Sequence, residues 1–126
     1  MNTPNNLKYT KTHEWIEYLE EGRIRTGVTD YAQDALGSLV FVNLPDEGDE
    51  VTAGESYADV ESVKAVSDVN SPVTGVVAAV NEEVLDTPEQ LNEDPYGAWM
   101  VEISGVSETV ELMDADEYEA FCREEE

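Results

Sequence analysis

Five short runs of β-branched and aromatic residues, at 14–19, 23–28, 39–44, 73–80 and 99–103, are each bounded by Gly, Pro, Asn or Asp and commit the chain to a mainly β fold. Short connections make antiparallel neighbours the default pairing. Glu20-Glu21-Gly22 reads as a hairpin connection, and Pro45-Asp46-Glu47-Gly48 as a turn in which proline sets φ. Three short helices are expected between the strands. Thr29 or Asp30 can cap one whose apolar face is Tyr31, Ala32, Ala35 and Leu36, with Gly37 ending it. Thr87-Pro88-Glu89-Gln90 suggests a one-turn helix capped by Thr87. Asp114 with Glu117 forms a capping box for a C-terminal helix with a stripe of Tyr118, Phe121 and Cys122; its end at residues 124–126 opposes the helix dipole and is expected to fray.

At 126 residues the chain is read as one domain, 1–126. It carries 30 acidic residues and 6 basic ones, a formal charge of −24, which opposes binding to nucleic acid or to an anionic membrane. The acids recur between apolar segments and do not form one tail, so they read as the solvated surface of a folded protein. With lysine so scarce, the surface is read as an adaptation to the salt-rich cytoplasm of a halophile, where molar salt screens repulsion over about 3 Å. A single cysteine, Cys122, gives no sign of an oxidising compartment, and residues 1–10 lack the apolar stretch of a signal peptide. The expectation is a soluble, cytoplasmic protein.

Lys64 is one of three lysines and lies in Glu61-Ser62-Val63-Lys64-Ala65-Val66-Ser67-Asp68. Valines at 60, 63, 66 and 69 do not form a helical stripe, because steps of three drift around the cylinder. A strand, a tight turn at Lys64 and a return strand fit better, with the lysine outward at the tip and Pro72 and Gly75 starting the next bend.

The segment 61–65, continuing through Ser67-Asp68, Ser71-Pro72-Val73, Gly75 and Val80-Asn81, resembles the lipoyl-attachment segment of the glycine cleavage system H protein family. His13-Glu14-Trp15, Gly27-Val28-Thr29-Asp30-Tyr31-Ala32-Gln33 with Leu36-Gly37, Leu44-Pro45 with Gly48, and Asn92-Glu93-Asp94-Pro95-Tyr96-Gly97 with Trp99-Met100 resemble further family motifs in the family's order. Ala98 departs from the glycine common before the late tryptophan. The resemblance implies a barrel-sandwich hybrid of the lipoyl and biotinyl carrier type, with short helices and a C-terminal helix. It also implies a carrier and not an enzyme. Lipoic acid would be joined covalently to Lys64, with Glu61, Ser62, Val63 and Ala65 recognised by the lipoylating enzyme.

The arm so formed would take an aminomethyl group from a pyridoxal-phosphate (PLP) glycine decarboxylase. It would pass that group to a folate-dependent aminomethyltransferase and deliver the dithiol to dihydrolipoyl dehydrogenase. Carried over from the family, Thr12, Glu14 and Asp68 line a cleft for the loaded arm, where carboxylates could pair with its ammonium. The plain alternative is that Glu14 and Asp68 are two more surface acids.

His13, the only histidine, reads as structural; Trp15, Tyr96 and Trp99 as core or cleft walls; Cys122 as packing. No metal-ligand cluster or Cys/His dyad is evident. Other readings remain. The chain could relay lipoyl groups to other complexes, or carry biotin, although biotin carriers typically flank their lysine with Met where this chain has Val63 and Ala65. An acid-pair hydrolase lacks any supporting motif, and a module for a basic partner lacks a localised charged face.

Overall fold

A computed structural model describes residues 2–125, and Met1 and Glu126 lie outside the described residues. The strands are β1 (Lys8–Tyr9), β2 (Glu14–Tyr18), β3 (Ile24–Val28), β4 (Leu39–Asn43), β5 (Glu50–Val51), β6 (Ser56–Ser62), β7 (Val66–Asn70), β8 (Val73–Val80) and β9 (Val101–Thr109). The helices are α1 (Asp30–Leu36), α2 (Glu82–Asp86), α3 (Gln90–Glu93) and α4 (Ala115–Glu125). One sheet runs β1-β2-β3-β9-β8-β5 and the other β4-β6-β7, with every pairing antiparallel. This is the mainly β, sandwich-like architecture expected.

Period-two burial explains why the sheets face each other. Along β6, Ala58, Val60 and Ser62 are buried while Asp59 and Glu61 lie on the other face, and Tyr57, at a register irregularity, packs against the core; along β8, Val73, Gly75 and Val77 are buried. The main core joins both sheets through Ile16, Ile24, Val28, Val42, Val60, Val69, Val77 and Ile103. Each fully buried valine or isoleucine contributes about 1.5–3 kcal/mol. A second cluster of Leu7, Tyr9, Trp15, Met113, Ala115, Tyr118 and Cys122 fastens the C-terminal helix over the start of the chain. Gly75 sits tight against β9: a Cβ there would lie 2.6 Å from the Ser104 carbonyl oxygen and 2.7 Å from Ile103 Cγ2.

Local expectations held where the chemistry is local. The Thr29 hydroxyl accepts the Ala32 N–H at 3.2 Å and Gly37 closes α1 at φ 85°. The Asp114 carboxylate accepts from Glu117 N, and the Glu117 carboxylate accepts from Asp114 N, a complete capping box. The Glu20–Gly22 connection is a 3₁₀ turn between β2 and β3, with φ of 62° at Glu21 and 70° at Gly22.

Several expectations are corrected. The turn after β4 spans residues 46–49, closed by Asp49 N donating to the Asp46 carbonyl, so Pro45 precedes it. Residues 87–90 form a turn, but the Thr87 side chain caps no helix start: Thr87 ends α2, which was not anticipated, by donating its N–H to the Glu83 carbonyl at 2.8 Å, and the next helix begins at Gln90. Gly75 starts no bend; it lies inside β8 at a register irregularity. Ala35 is exposed, so the packed face of α1 is narrower than expected. α4 runs to Glu125, whose carboxylate lies 2.8 Å from His13 Nε2; Glu126 lies outside the described residues.

Candidate functional site

The β6–β7 hairpin puts Lys64 at its tip. Ser62 closes the turn: its N–H donates to the Ala65 carbonyl at 2.8 Å, and its hydroxyl accepts from Lys64 N at 3.3 Å and Ala65 N at 3.1 Å. Val63 N donates to the Ser38 carbonyl at 3.1 Å, which ties the turn to the entry of β4. Four backbone and side-chain contacts thus hold a tip whose side chains stand in water, with Val63 73% and Val66 63% exposed. Glu61 and Ala65 are exposed, whereas Ser62 is buried in its role as turn closure. Lys64 is exposed, yet its chain does not project straight outward. Its Cε would lie 3.5 Å from a Cβ at Gly37, so the methylenes lean over the end of α1. Gly37 leaves room for them.

At the far end of the same hairpin lies a cavity of about 220 Å³ walled by Thr10, Thr12, Glu14, Asn70 and Ser71, with Lys11 and Glu111 also lining it. Glu14 is only 3% exposed, so it is not one more surface acid. Its Oε1 accepts from the hydroxyls of Thr10 at 2.7 Å and Thr12 at 2.5 Å, and its Oε2 accepts from Asn70 N at 3.4 Å. Burial pushes the Glu14 carboxyl above the usual carboxylate range, and the donors from Thr12, Thr10 and Asn70 oppose that rise by favouring the charge. Gly54 and Val110 complete the wall, so most of the lining surface is apolar, and the buried Glu14 carboxylate is the group there suited to receiving a cation.

The structure therefore brings Thr12 and Glu14 together as expected. Asp68 is exposed on β7, opposite Asp59, and does not wall the cavity. Thr10, Asn70 and Ser71 were missed. Alternation along Thr10-Lys11-Thr12-His13-Glu14 was the available signal for Thr10, whereas Asn70 enters only through strand pairing. Among the described residues, no group of three or more His, Cys, Asp or Glu side chains is placed to hold a metal.

His13 sits at φ 71°, with Nδ1 2.7 Å from the Tyr118 hydroxyl, Nε2 on Glu125 and its ring stacked on Tyr31 at 4.6 Å. It pins α4 to the start of β2. Trp15 is buried and donates Nε1–H to the Pro95 carbonyl at 3.0 Å, Trp99 lies under Arg25, and Cys122 is buried beside Tyr118. Ala98, in place of the expected glycine, is 5% exposed and donates its N–H to the Asp94 carbonyl at 2.8 Å, so the turn closes without a glycine there.

Comparison with known proteins agrees with this geometry. A family described as "Glycine cleavage H-protein" matches residues 7–125. A glycine cleavage system H protein of Lachnoclostridium phytofermentans is 57% identical over 125 residues, covering 99% of this chain and 98% of that one. A probable glycine cleavage system H protein of Pyrococcus abyssi is 52% identical over 120 residues, covering 93% and 90%. The crystal structure of a glycine cleavage system H protein from Mycobacterium marinum superposes with a TM-score of 0.89 at 41% identity, covering 93% of this chain and 96% of that one. With an exposed lysine on a pinned hairpin and a fold and sequence shared end to end, the chain belongs to the glycine cleavage H-protein family, the lipoyl-carrying shuttle component of the glycine cleavage system and not one of its catalysts.

Proposed function

We propose that Lys64 is the attachment point of the lipoyl group and that the chain, as one cytoplasmic lipoyl-carrier domain, serves the PLP-dependent decarboxylase, the folate-dependent aminomethyltransferase and dihydrolipoyl dehydrogenase in turn. The observation that carries this reading is the hairpin tip: a lysine in water on a turn closed by Ser62. Small or extended neighbours at Val63 and Ala65 leave the amine open to a lipoylating enzyme, and Glu61 stands exposed beside them. When attached, the lipoyl group supplies a five-membered disulfide that cannot reach the relaxed dihedral near 90° and so opens readily to accept a carbon group and two electrons.

The chain's own residues then shelter what is carried. Glu14, oriented by Thr10 and Thr12, offers a carboxylate to an ammonium in the cavity, and Asp68 on the hairpin face adds negative charge on the way there. An arm folded into that cavity would displace water around its cargo and so slow hydrolysis. The acidic surface, at −24, suits the salt-rich cytoplasm of a halophile. Among the described residues no helix is long and apolar enough to cross a membrane. The test is Lys64→Arg, which keeps the charge and cannot be acylated. Glycine decarboxylation by the reconstituted system is expected to vanish with the variant, and full activity would contradict the assignment.

A further inference from the structure

Between β1 and β2 the chain makes a tight hairpin loop: Tyr9 pairs with Trp15, Thr10 N donates to the Glu14 carbonyl at 2.9 Å, and His13 N donates to the Thr10 carbonyl at 3.2 Å. His13 closes the loop in the left-handed region, at φ 71°. Hairpin loops of this length place a left-handed residue at that position, and glycine fills it most easily because a Cβ there crowds the following carbonyl. Histidine enters that region more readily than most residues, but not without strain. Such a conformation persists where surrounding contacts hold it.

The C-terminal helix provides those contacts. Tyr118, Phe121 and Glu125 share one face of α4, and all three meet the imidazole: the Tyr118 hydroxyl lies 2.7 Å from Nδ1, the Glu125 carboxylate 2.8 Å from Nε2, and the Phe121 ring centroid 5.9 Å from that of His13. Tyr31 of α1 stacks on the ring at 4.6 Å, and Thr29 N donates to the His13 carbonyl at 3.1 Å. On either side of His13 in the chain stand Thr12 and Glu14, which both wall the cavity. Thr12 is exposed, and its hydroxyl meets Glu14 Oε1 at 2.5 Å and Thr10 Oγ1 at 3.4 Å. Loop geometry, not packing, therefore decides whether that donor reaches the carboxylate.

We propose that His13 is a positioning residue for the Glu14 cavity. The seat of its ring on α4 stabilises the left-handed backbone at 13, and that backbone turns Thr12 and Glu14 together so that the carboxylate stands at the cavity with its Thr12 donor in place. α4 contributes no residue to the cavity wall, and acts on it through this one side chain. The proposal rests on the reading of Glu14 as the group that receives a cation there.

The test compares His13→Gly with His13→Ala in the unmodified full-length chain. Both remove the ring and its hold on α4, so both should melt below wild type; only glycine keeps the left-handed backbone without strain. The Thr12 rotamer is read below the melting range from its three-bond Hα–Hβ coupling. A single staggered rotamer is expected in wild type and in His13→Gly, and its loss to averaging in His13→Ala. His13→Asn, which also tolerates the left-handed region, should follow glycine. A residue that only ties α4 down would lower Tm in both variants and leave Thr12 alike in the two, and that result overturns the proposal. Averaging in wild type or in His13→Gly overturns it whether or not the alanine variant folds. Every reading uses the chain with Lys64 bare, so failure of the lipoyl assignment leaves them untouched.

Discussion

Gly75→Ala tests whether the closeness of β8 and β9 is what the fold depends on at that crossing. A Cβ at 75 meets the Ser104 oxygen at 2.6 Å and Ile103 Cγ2 at 2.7 Å, which is 0.8 and 0.7 Å inside the 3.4 Å where ordinary contact begins. One neighbour is backbone and paired, the other is fully buried, so neither can swing aside. Overpacking of this kind costs about 1–3 kcal/mol. Alanine also restricts the unfolded chain, which offsets about 0.4–1 kcal/mol of that. The net is a loss of about 1–2 kcal/mol, a sizeable part of a domain's 5–15 kcal/mol or so. For a chain of this size, Tm should fall by roughly 4–10 °C in a circular-dichroism melt. Lys64 lies in the other sheet, so its acylation rate below the melting range should match wild type. A variant that melts at or above the wild-type temperature refutes the steric argument.

Other outcomes follow from the charges. Burial raises the Glu14 carboxyl, so its contribution to stability is full below the ordinary carboxylate range and is lost as pH rises through the folded value. Glu14→Gln is neutral throughout and keeps an oxygen for Thr10 and Thr12. It should therefore melt higher than wild type at neutral pH, with the gap closing as pH falls; a gap independent of pH contradicts this. The −24 charge predicts a Tm that climbs between dilute buffer and molar KCl as screening shortens to about 3 Å. A flat response would remove the support for adaptation to high salt.

What the sequence revealed depended on the range of the interactions. The Asp114–Glu117 box, the Thr29 cap and the Gly37 stop were legible because each is completed within four residues. The Lys64 hairpin was legible because its valines fit no helical stripe and its neighbours resemble a known family segment. β1 and β5 were not, since two residues become a strand only through partners such as Ile16 and Val76. β9 was expected to stop at residue 103 but continues to Thr109, carried past Gly105 by its pairing with β8. Glu14 could not be told from 29 other acids by composition; only folding buries it and aims Asn70 at it. The irregularity between Ser56 and Ala58 gave no signal, because a bulge is a property of register and not of residue type.

Intact-mass analysis of the protein purified from its native host during growth on glycine, with fragmentation to locate any added group, tests the carrier assignment most directly. The account predicts a lipoyl increment on Lys64 and on neither Lys8 nor Lys11. A bare Lys64 in cells actively cleaving glycine contradicts it.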